Sequence, residues 1–190
     1  MIPEKNNWKL LDSEKGPELP LFKVRFDYQQ NERNGHVIKT LVLEAADSAN
    51  VVAITPEQRI LMVKQYRFGT GEETVELPGG LVDPGEDHLT AVQRELREET
   101  GYTGLDWKYL GYIDSNAVFI DSFIHHYLVR SVRRTDVMQL DDSESIDLLE
   151  LTIPEVRAWV QTGRIRHPHT LSALARVFPL WEPLIDHPGF

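Results

Sequence analysis

Glu95, Glu98 and Glu99 stand three and four residues apart in a run that reads as a helix, so they share one side of it. Carboxylates about 6 Å apart repel one another by roughly 1 to 3 kcal/mol. A bare helix gains nothing from that crowding. A divalent cation turns it into attraction, and an all-oxygen set suits Mg²⁺, Mn²⁺ or Ca²⁺ rather than zinc. The turn before the helix, Pro78-Gly79-Gly80, can add the backbone carbonyl of Gly79, because glycine lets the main chain approach an ion closely. Two or more such ions can clamp a diphosphate, activate a water and stabilise the leaving oxyanion.

The elements that must position these groups can be read from pattern. Asp87 is a cap for a helix from His88 to Thr100, with Leu89, Val92 and Leu96 as its apolar stripe and Gly101 just past its end. Asn50 to Ile54 and Arg59 to Gln65 read as strands joined by a turn at 55–58. Thr74 to Leu77, Leu105 to Ile113, Phe123 to Val132 and Ile146 to Leu151 read as further strands. A helix starts near Pro154 and runs to about Gln161, and a last one begins at His169 and runs to Val177. Residues 1–48 read as a β-rich arm: Leu21 to Tyr28 and Val37 to Glu44 alternate apolar and polar residues around a turn at 31–35. An isolated hairpin is marginal in water, so the arm needs the main domain, residues 49–190, or a second subunit to pack on. A homodimer is therefore expected. Strands alternating with helices, with several hairpins, imply an α/β fold with a mixed sheet between helical layers.

Composition narrows the function classes. The window from Glu76 to Gly101 holds seven acids and two bases, half of the chain's net charge of −10. Such a surface repels a phosphate substrate unless cations neutralise it, so the acids and an anionic substrate both require metal. The same charge argues against nucleic acid or an acidic membrane as partner. The chain of 190 residues has no cysteine, which excludes disulfides and thiolate chemistry and permits a reducing compartment. No signal-peptide layout and no apolar run of about 18 residues is present, so the cytoplasm is the expected location. His125-His126 lies in an expected strand, and His167 and His169 flank Pro168 in an expected loop. Without cysteine or a His-Glu-x-x-His run, neither pair is expected to bind zinc.

Gly80, Glu86, Arg94, Glu95, Leu96, Glu98, Glu99, Gly101 and Tyr102 match, at every fixed spacing, the signature that the segment resembles, that of the Nudix hydrolases. The resemblance implies a Nudix-type α/β/α sandwich and divalent-metal-dependent hydrolysis of a nucleoside diphosphate linked to another group. It implies Glu95 and Glu99 as the main metal ligands with the Gly79 carbonyl, and Glu98 as ligand or proton acceptor. Glu86 braces the loop or binds an outer ion, and Arg94 pairs with a glutamate and orients it. Gln65-Tyr66-Arg67 and Glu76-Leu77-Pro78-Gly79-Gly80 are similar to the ADP-ribose pyrophosphatases and their nucleotide-sugar relatives, which implies Arg67 and Glu76 at the substrate, with Arg67 on the pyrophosphate. In that branch a carboxylate on a late acidic loop takes the proton from water. Glu144 holds the matching position and competes with Glu98 for the role. An arm aromatic presented to the base by a partner subunit corresponds to Trp8 or Tyr28, each of which equally suits a core position. Ser115-Asn116-Ala117 departs from the Ser-Pro-Gly usual in ADP-ribose-specific members, which favours broader nucleoside-diphosphate-sugar use. GDP-mannose, dinucleoside polyphosphates and coenzyme A are the alternative substrates. A regulator that binds without turnover is the alternative class, although the box keeps every carboxylate.

Overall fold

Residues 7–140 and 145–180 are described here, from a computed structural model of the chain. The chain divides into two units, Met1–Ala46 with Asp114–Phe123, and Asp47–Ile113 with Ile124–Phe190.

The first unit contains an antiparallel meander of β1 (Trp8–Glu18), β2 (Lys23–Asn31) and β3 (Val37–Glu44). The expected turn closes on Asn31, whose carbonyl accepts the Gly35 N–H at 2.8 Å, and Gly35 takes the left-handed conformation (φ 73°). β1 is absent from the sequence-based expectation. Asp27 is buried on β2, where Ser13 Oγ donates to it at 2.7 Å and Arg25 Nε at 3.0 Å. Those two donors offset the cost of taking a carboxylate out of water.

The second unit carries the acidic helix. Its strands are β4 (Ser48–Ile54), β5 (Arg59–Arg67), β6 (Glu72–Glu76) and β7 (Gly79–Leu81). Helix α1 (His88–Thr100) comes next, followed by the short β8 (Tyr102–Thr103). Then come β9 (Trp107–Asn116), β10 (Ile120–Arg130), β11 (Arg133–Arg134) and β12 (Ile146–Thr152). Helices α2 (Ile153–Gln161) and α3 (Pro168–Ala175) complete it. β9 and β10 contribute residues to both units. Residues 124–130 of β10 run parallel to β4, while β12 and β6 pair antiparallel with β5, so the sheet is mixed.

The pleat of β4 sends alternate residues to opposite faces. Ala49, Val51 and Ala53 pack with Val92 and Leu96 of α1. Val52 and Ile54 pack with Val156 and Val160 of α2 and Leu174 of α3. Helices on both faces of one mixed sheet make the expected α/β/α sandwich. Each helix begins where the sequence supplies a start. Asp87 Oδ1 caps α1 by accepting from the backbone of Leu89 and Thr90 at 3.0 Å, and Gly101 ends it in the left-handed region (φ 75°). Thr152 and Glu155 form a reciprocal capping box on α2. Pro168 occupies the first turn of α3. Gly79–Leu81, expected as a turn, is instead a strand opposite β4, with Gly79 facing Asn50 and Gly80 facing Ala49. No described helix is long and apolar enough to cross a membrane.

Candidate active site

The stripe that anchors α1 also sets its carboxylates. Val92, Leu96 and Glu99 belong to its buried face. Glu99 is only 3% exposed. Its Oε2 accepts the Gly79 N–H at 2.8 Å, which ties the β7 strand to the helix. Glu95 lies one turn earlier, against Gly80. A Cβ on Gly80 would fall on the Glu95 carboxylate, and a Cβ on Gly79 would fall 2.6 Å from Asn50 Cα. Gly79 is therefore required by the close approach of main chain, and Gly80 by the place that the Glu95 carboxylate occupies.

Arg94 organises the other acids. Its Nε and Nη2 donate to the two oxygens of Glu86 at 3.2 and 3.1 Å, and its Nη1 donates to Glu95 Oε1 at 2.8 Å and Glu98 Oε2 at 3.2 Å. Nη2 also donates to the Leu81 carbonyl at 3.1 Å. The bonds to Glu86, and then those to Glu95 and Glu98, hold the guanidinium pKa well above its usual value. The bond to Arg94 in turn holds the Glu86 carboxyl below its usual range. A planar fork that bridges three carboxylates fixes their relative orientation in a way lysine cannot.

A cavity of about 480 Å³ opens in this unit. Glu95, Glu99, Gly79 and Gly80 form one wall, and Arg67, Glu76, His167 and His169 form the other. Glu76 is 2% exposed. Burial alone would raise its pKa, but the bond from Arg67, the nearby His167 ring at acid pH and the Thr74 hydroxyl bring it below the usual carboxylate value. Burial pushes the His167 ring down from its usual value, with Glu76 opposing that shift, so it is neutral at pH 7.

A depressed carboxylate contributes stability that is present above its unfolded pKa and lost as pH falls through the folded one. Glu76→Gln is therefore expected to lower Tm at pH 7 and to shrink the loss of Tm on acidification below about pH 4.5. Calorimetric scans of both proteins at pH 7 and pH 4 check this. An unchanged acid dependence would remove Glu76 as a contributor.

The structure thus brings Glu95, Glu99, Gly79, Arg67 and Glu76 to one cavity, while Glu86 and Glu98 do not line it and are joined to Glu95 through Arg94. Glu144 lies outside the described residues. Trp8 and Tyr28 belong to the other unit: Trp8 is half-buried on β1, and Tyr28 donates from Oη to Glu14 at 3.0 Å with Lys39 above its ring. Among the described residues no three carboxylates or imidazoles already stand in position to grip one ion, because Glu98 is turned to Arg94 and Glu99 to the Gly79 amide. The donor chemistry nevertheless fits a hard divalent cation. Glu95 and Glu99 are acidic oxygen donors, and the two glycines leave the main chain beside them uncovered.

Sequence reasoning missed the wall made by α3. The sequence pattern of His167 and His169 bears only on zinc. The available signal was Pro168 between them, which marks a helix start and so fixes where both rings emanate. It also missed the support beneath the site. His126 is fully buried; its Nδ1 donates to Asn50 Oδ1 (2.8 Å) and its Nε2 accepts from Ser172 Oγ (3.1 Å). Burial drives its pKa down to about 4. Asn50 Nδ2 in turn donates to the His169 carbonyl at 3.4 Å.

Comparison with known proteins decides the family. The profile described as NUDIX domain matches residues 45–178. The chain belongs to the Nudix family. Its relatives place this Nudix protein with the ADP-ribose pyrophosphatase branch. It is 34% identical over 142 residues to the methanol dehydrogenase activator of Bacillus methanolicus, covering 74% of this chain and 77% of that one. It is 28% identical to the ADP-ribose pyrophosphatase of Bacillus subtilis, with the same coverage. It is 27% identical to the GDP-mannose pyrophosphatase of Citrobacter koseri, over 77% of this chain and 82% of that one. A crystal structure titled as an ADP compounds hydrolase superposes with a TM-score of 0.79 at 19% identity, covering 92% of this chain and 94% of the other. That last likeness is one of fold. The Nudix box is the α1 segment with the β7 glycines before it.

Proposed function

We propose that this Nudix hydrolase cleaves the diphosphate bridge of ADP-ribose or a related nucleoside diphosphate sugar, releasing a nucleoside monophosphate and a sugar phosphate. The observation that carries the reading is the cavity that sets Glu95 and Glu99 of the box, with Gly79, across from Arg67. Glu95, Glu99 and the Gly79 carbonyl would hold the divalent ion, Mg²⁺ or Mn²⁺, with Glu98 joining or accepting a proton. The bound ion supplies Lewis acidity and a more acidic water. The chain's own residues do the rest. Arg94 keeps Glu86, Glu95 and Glu98 in register. The Gly79 amide fixes Glu99. Buried Glu76 holds Arg67 by two bonds of 2.8 and 2.7 Å, which fixes the plane of a guanidinium suited to a diphosphate. Glu144 is the proposed acceptor of the water's proton, with Glu98 as its rival.

The reading includes a cytoplasmic homodimer built on the arm, residues 1–48, with residues 49–190 as the hydrolase domain. The unit that contains the arm exposes Leu10, Leu21, Val37, Leu41, Val118 and Phe119, apolar side chains that a second copy would cover. Trp8 or Tyr28 would then be offered to the partner's substrate base. Sedimentation equilibrium is expected to give twice the chain mass; a compact monomer at micromolar concentration overturns the dimer.

The test of the reaction is a panel of ADP-ribose, other ADP-sugars, GDP-mannose, dinucleoside polyphosphates and coenzyme A with Mg²⁺ or Mn²⁺, resolved by product chromatography. Release of AMP and a sugar phosphate supports the reading. Absence of cleavage across the panel defeats it. A second reading, activation of a dehydrogenase, is favoured by the relative named a methanol dehydrogenase activator. Stimulation of methanol dehydrogenase in the absence of cleavage on the panel separates the two.

A further inference from the structure

One wall of the cavity holds groups that the proposed reaction does not use. Glu76 accepts three hydrogen bonds and faces a fourth neighbour. Its Oε1 receives Arg67 Nε at 2.8 Å and Thr74 Oγ1 at 2.5 Å, and its Oε2 receives Arg67 Nη2 at 2.7 Å, with His167 Nδ1 standing 3.2 Å away. Two lone pairs on each oxygen give a carboxylate four acceptor positions, and three of them are taken. Glu76 therefore lines the cavity with most of its capacity spent on its neighbours. Its task is to hold its neighbours.

What it holds on the cavity side, besides Arg67, is His167. The ring's Nδ1 stands between Glu76 Oε2 and Thr170 Oγ1, the latter at 3.3 Å. The Thr170 oxygen already accepts the Leu77 N–H at 3.0 Å. A bare nitrogen facing an ionised carboxylate would set two lone pairs against each other, so Nδ1 carries the proton. In a neutral ring Nε2 is then the acceptor. The ring lines the same cavity as Glu95, Glu99 and Gly79.

Such an acceptor cannot bond a phosphate oxygen, which has lone pairs of its own. It needs an O–H or N–H from the ligand. In a nucleoside diphosphate sugar the hydroxyls of the two flanking sugars are the donors nearest the diphosphate, and the amino group of the base lies beyond a whole ribose. We propose that His167 is a specificity-determining residue whose Nε2 accepts a hydrogen bond from a sugar hydroxyl flanking the diphosphate, with Glu76 as its positioning residue. This rests on the nucleotide-sugar reading above.

The test is binding, so it does not depend on turnover. Calorimetry with the uncleavable α,β-methylene analogue of ADP-ribose is run beside two truncated probes. One replaces the distal sugar with a methyl ester, and the other lacks the 2′ and 3′ hydroxyls of the nucleoside. His167→Asn keeps a donor toward Glu76 and removes the cavity acceptor. It is expected to weaken binding of the full analogue about tenfold and to have no effect on whichever probe lacks the hydroxyl concerned. His167→Gln, which returns an acceptor near the Nε2 position, is expected to recover most of the loss. Unchanged binding of the full analogue by His167→Asn overturns the proposal, as does an equal loss on both truncated probes. The tautomer gives a check on the unmutated protein. Nitrogen–proton correlation spectra at pH 7.5 are expected to show His167 protonated at Nδ1, and a proton on Nε2 overturns the proposal. If the binding pattern holds and no substrate is cleaved, the hydrolytic reading fails and the role of His167 stands.

Discussion

Glu99→Gln is expected to stay folded and to lose about three orders of magnitude in kcat. The amide is the same size as the carboxylate, and its oxygen can still accept the Gly79 N–H that Glu99 Oε2 accepts at 2.8 Å. The strand–helix tie therefore survives. What disappears is a negative charge on a side chain that is 3% exposed. In metal-free buffer the variant should remain cooperatively folded, since side-chain size and the bond from the Gly79 amide are both kept. The loss appears only where the charge has work to do, in holding a cation beside the diphosphate. Two measurements on the same samples separate the cases: kcat with ADP-ribose at saturating Mg²⁺, and Tm with and without the metal. Added metal should raise Tm for the parent and do less for the variant, since a ligand that binds only the folded state stabilises in proportion to its affinity. Turnover within about threefold of the parent would remove Glu99 from the metal site.

The contrast between what the residues disclosed and what they hid follows from the range of the interactions. Helix α1 was legible at both ends because its signals are local: Asp87 caps it and Gly101 stops it within a few residues of the apolar stripe. The spacing of Glu95, Glu98 and Glu99 was legible for the same reason. That Arg94 meets a carboxylate was readable from the motif, but that it bridges Glu86, Glu95 and Glu98 at once depends on how the β7 turn folds back on α1. β1 escaped notice because its residues are almost all exposed, so it has no period of two to read. A three-residue strand such as β7 is too short to show any period, and its glycines spoke for a turn. The α3 wall was the least accessible. Leu77 and Thr170, which dock it, lie 93 positions apart, and no local pattern reports a contact made across the strands β7 to β12 and the two helices between them. Glu144, which the resemblance of its acidic loop implies as a proton acceptor, falls outside the described residues.

Gly79→Ala should be the most damaging single-atom addition in the box, and its neighbours provide the controls. Gly79 sits at φ 153°, in the region L residues rarely adopt, and its added Cβ would meet the Ala49 carbonyl and fall 2.6 Å from Asn50 Cα. Those are main-chain atoms of the central strand β4, so nothing there can step aside. Backbone strain of about 1 to 3 kcal/mol adds to an overpacking cost of about 1 to 3 kcal/mol. For a chain of this length a loss of about 3 kcal/mol lowers Tm by roughly 6 to 12 °C, and activity should fall below detection because the carbonyl and amide of residue 79 shift with the strand. Gly80→Ala differs in kind. Its Cβ would meet the Glu95 carboxylate, the far end of a flexible side chain. The fold should yield there at little cost, with Tm nearly unchanged, while Glu95 is pushed off its place and kcat drops. Gly85→Ala isolates the backbone term alone, since that glycine is left-handed (φ 86°) with nothing within 4 Å of an added Cβ; its effect should be about 1 kcal/mol with activity retained. The ordering of the three by Tm and by kcat is the result to obtain. A Gly79→Ala protein that melts with the parent would mean that β7 is free to move away from β4, and the proposed use of the Gly79 carbonyl with Glu95 and Glu99 would then lose its structural basis.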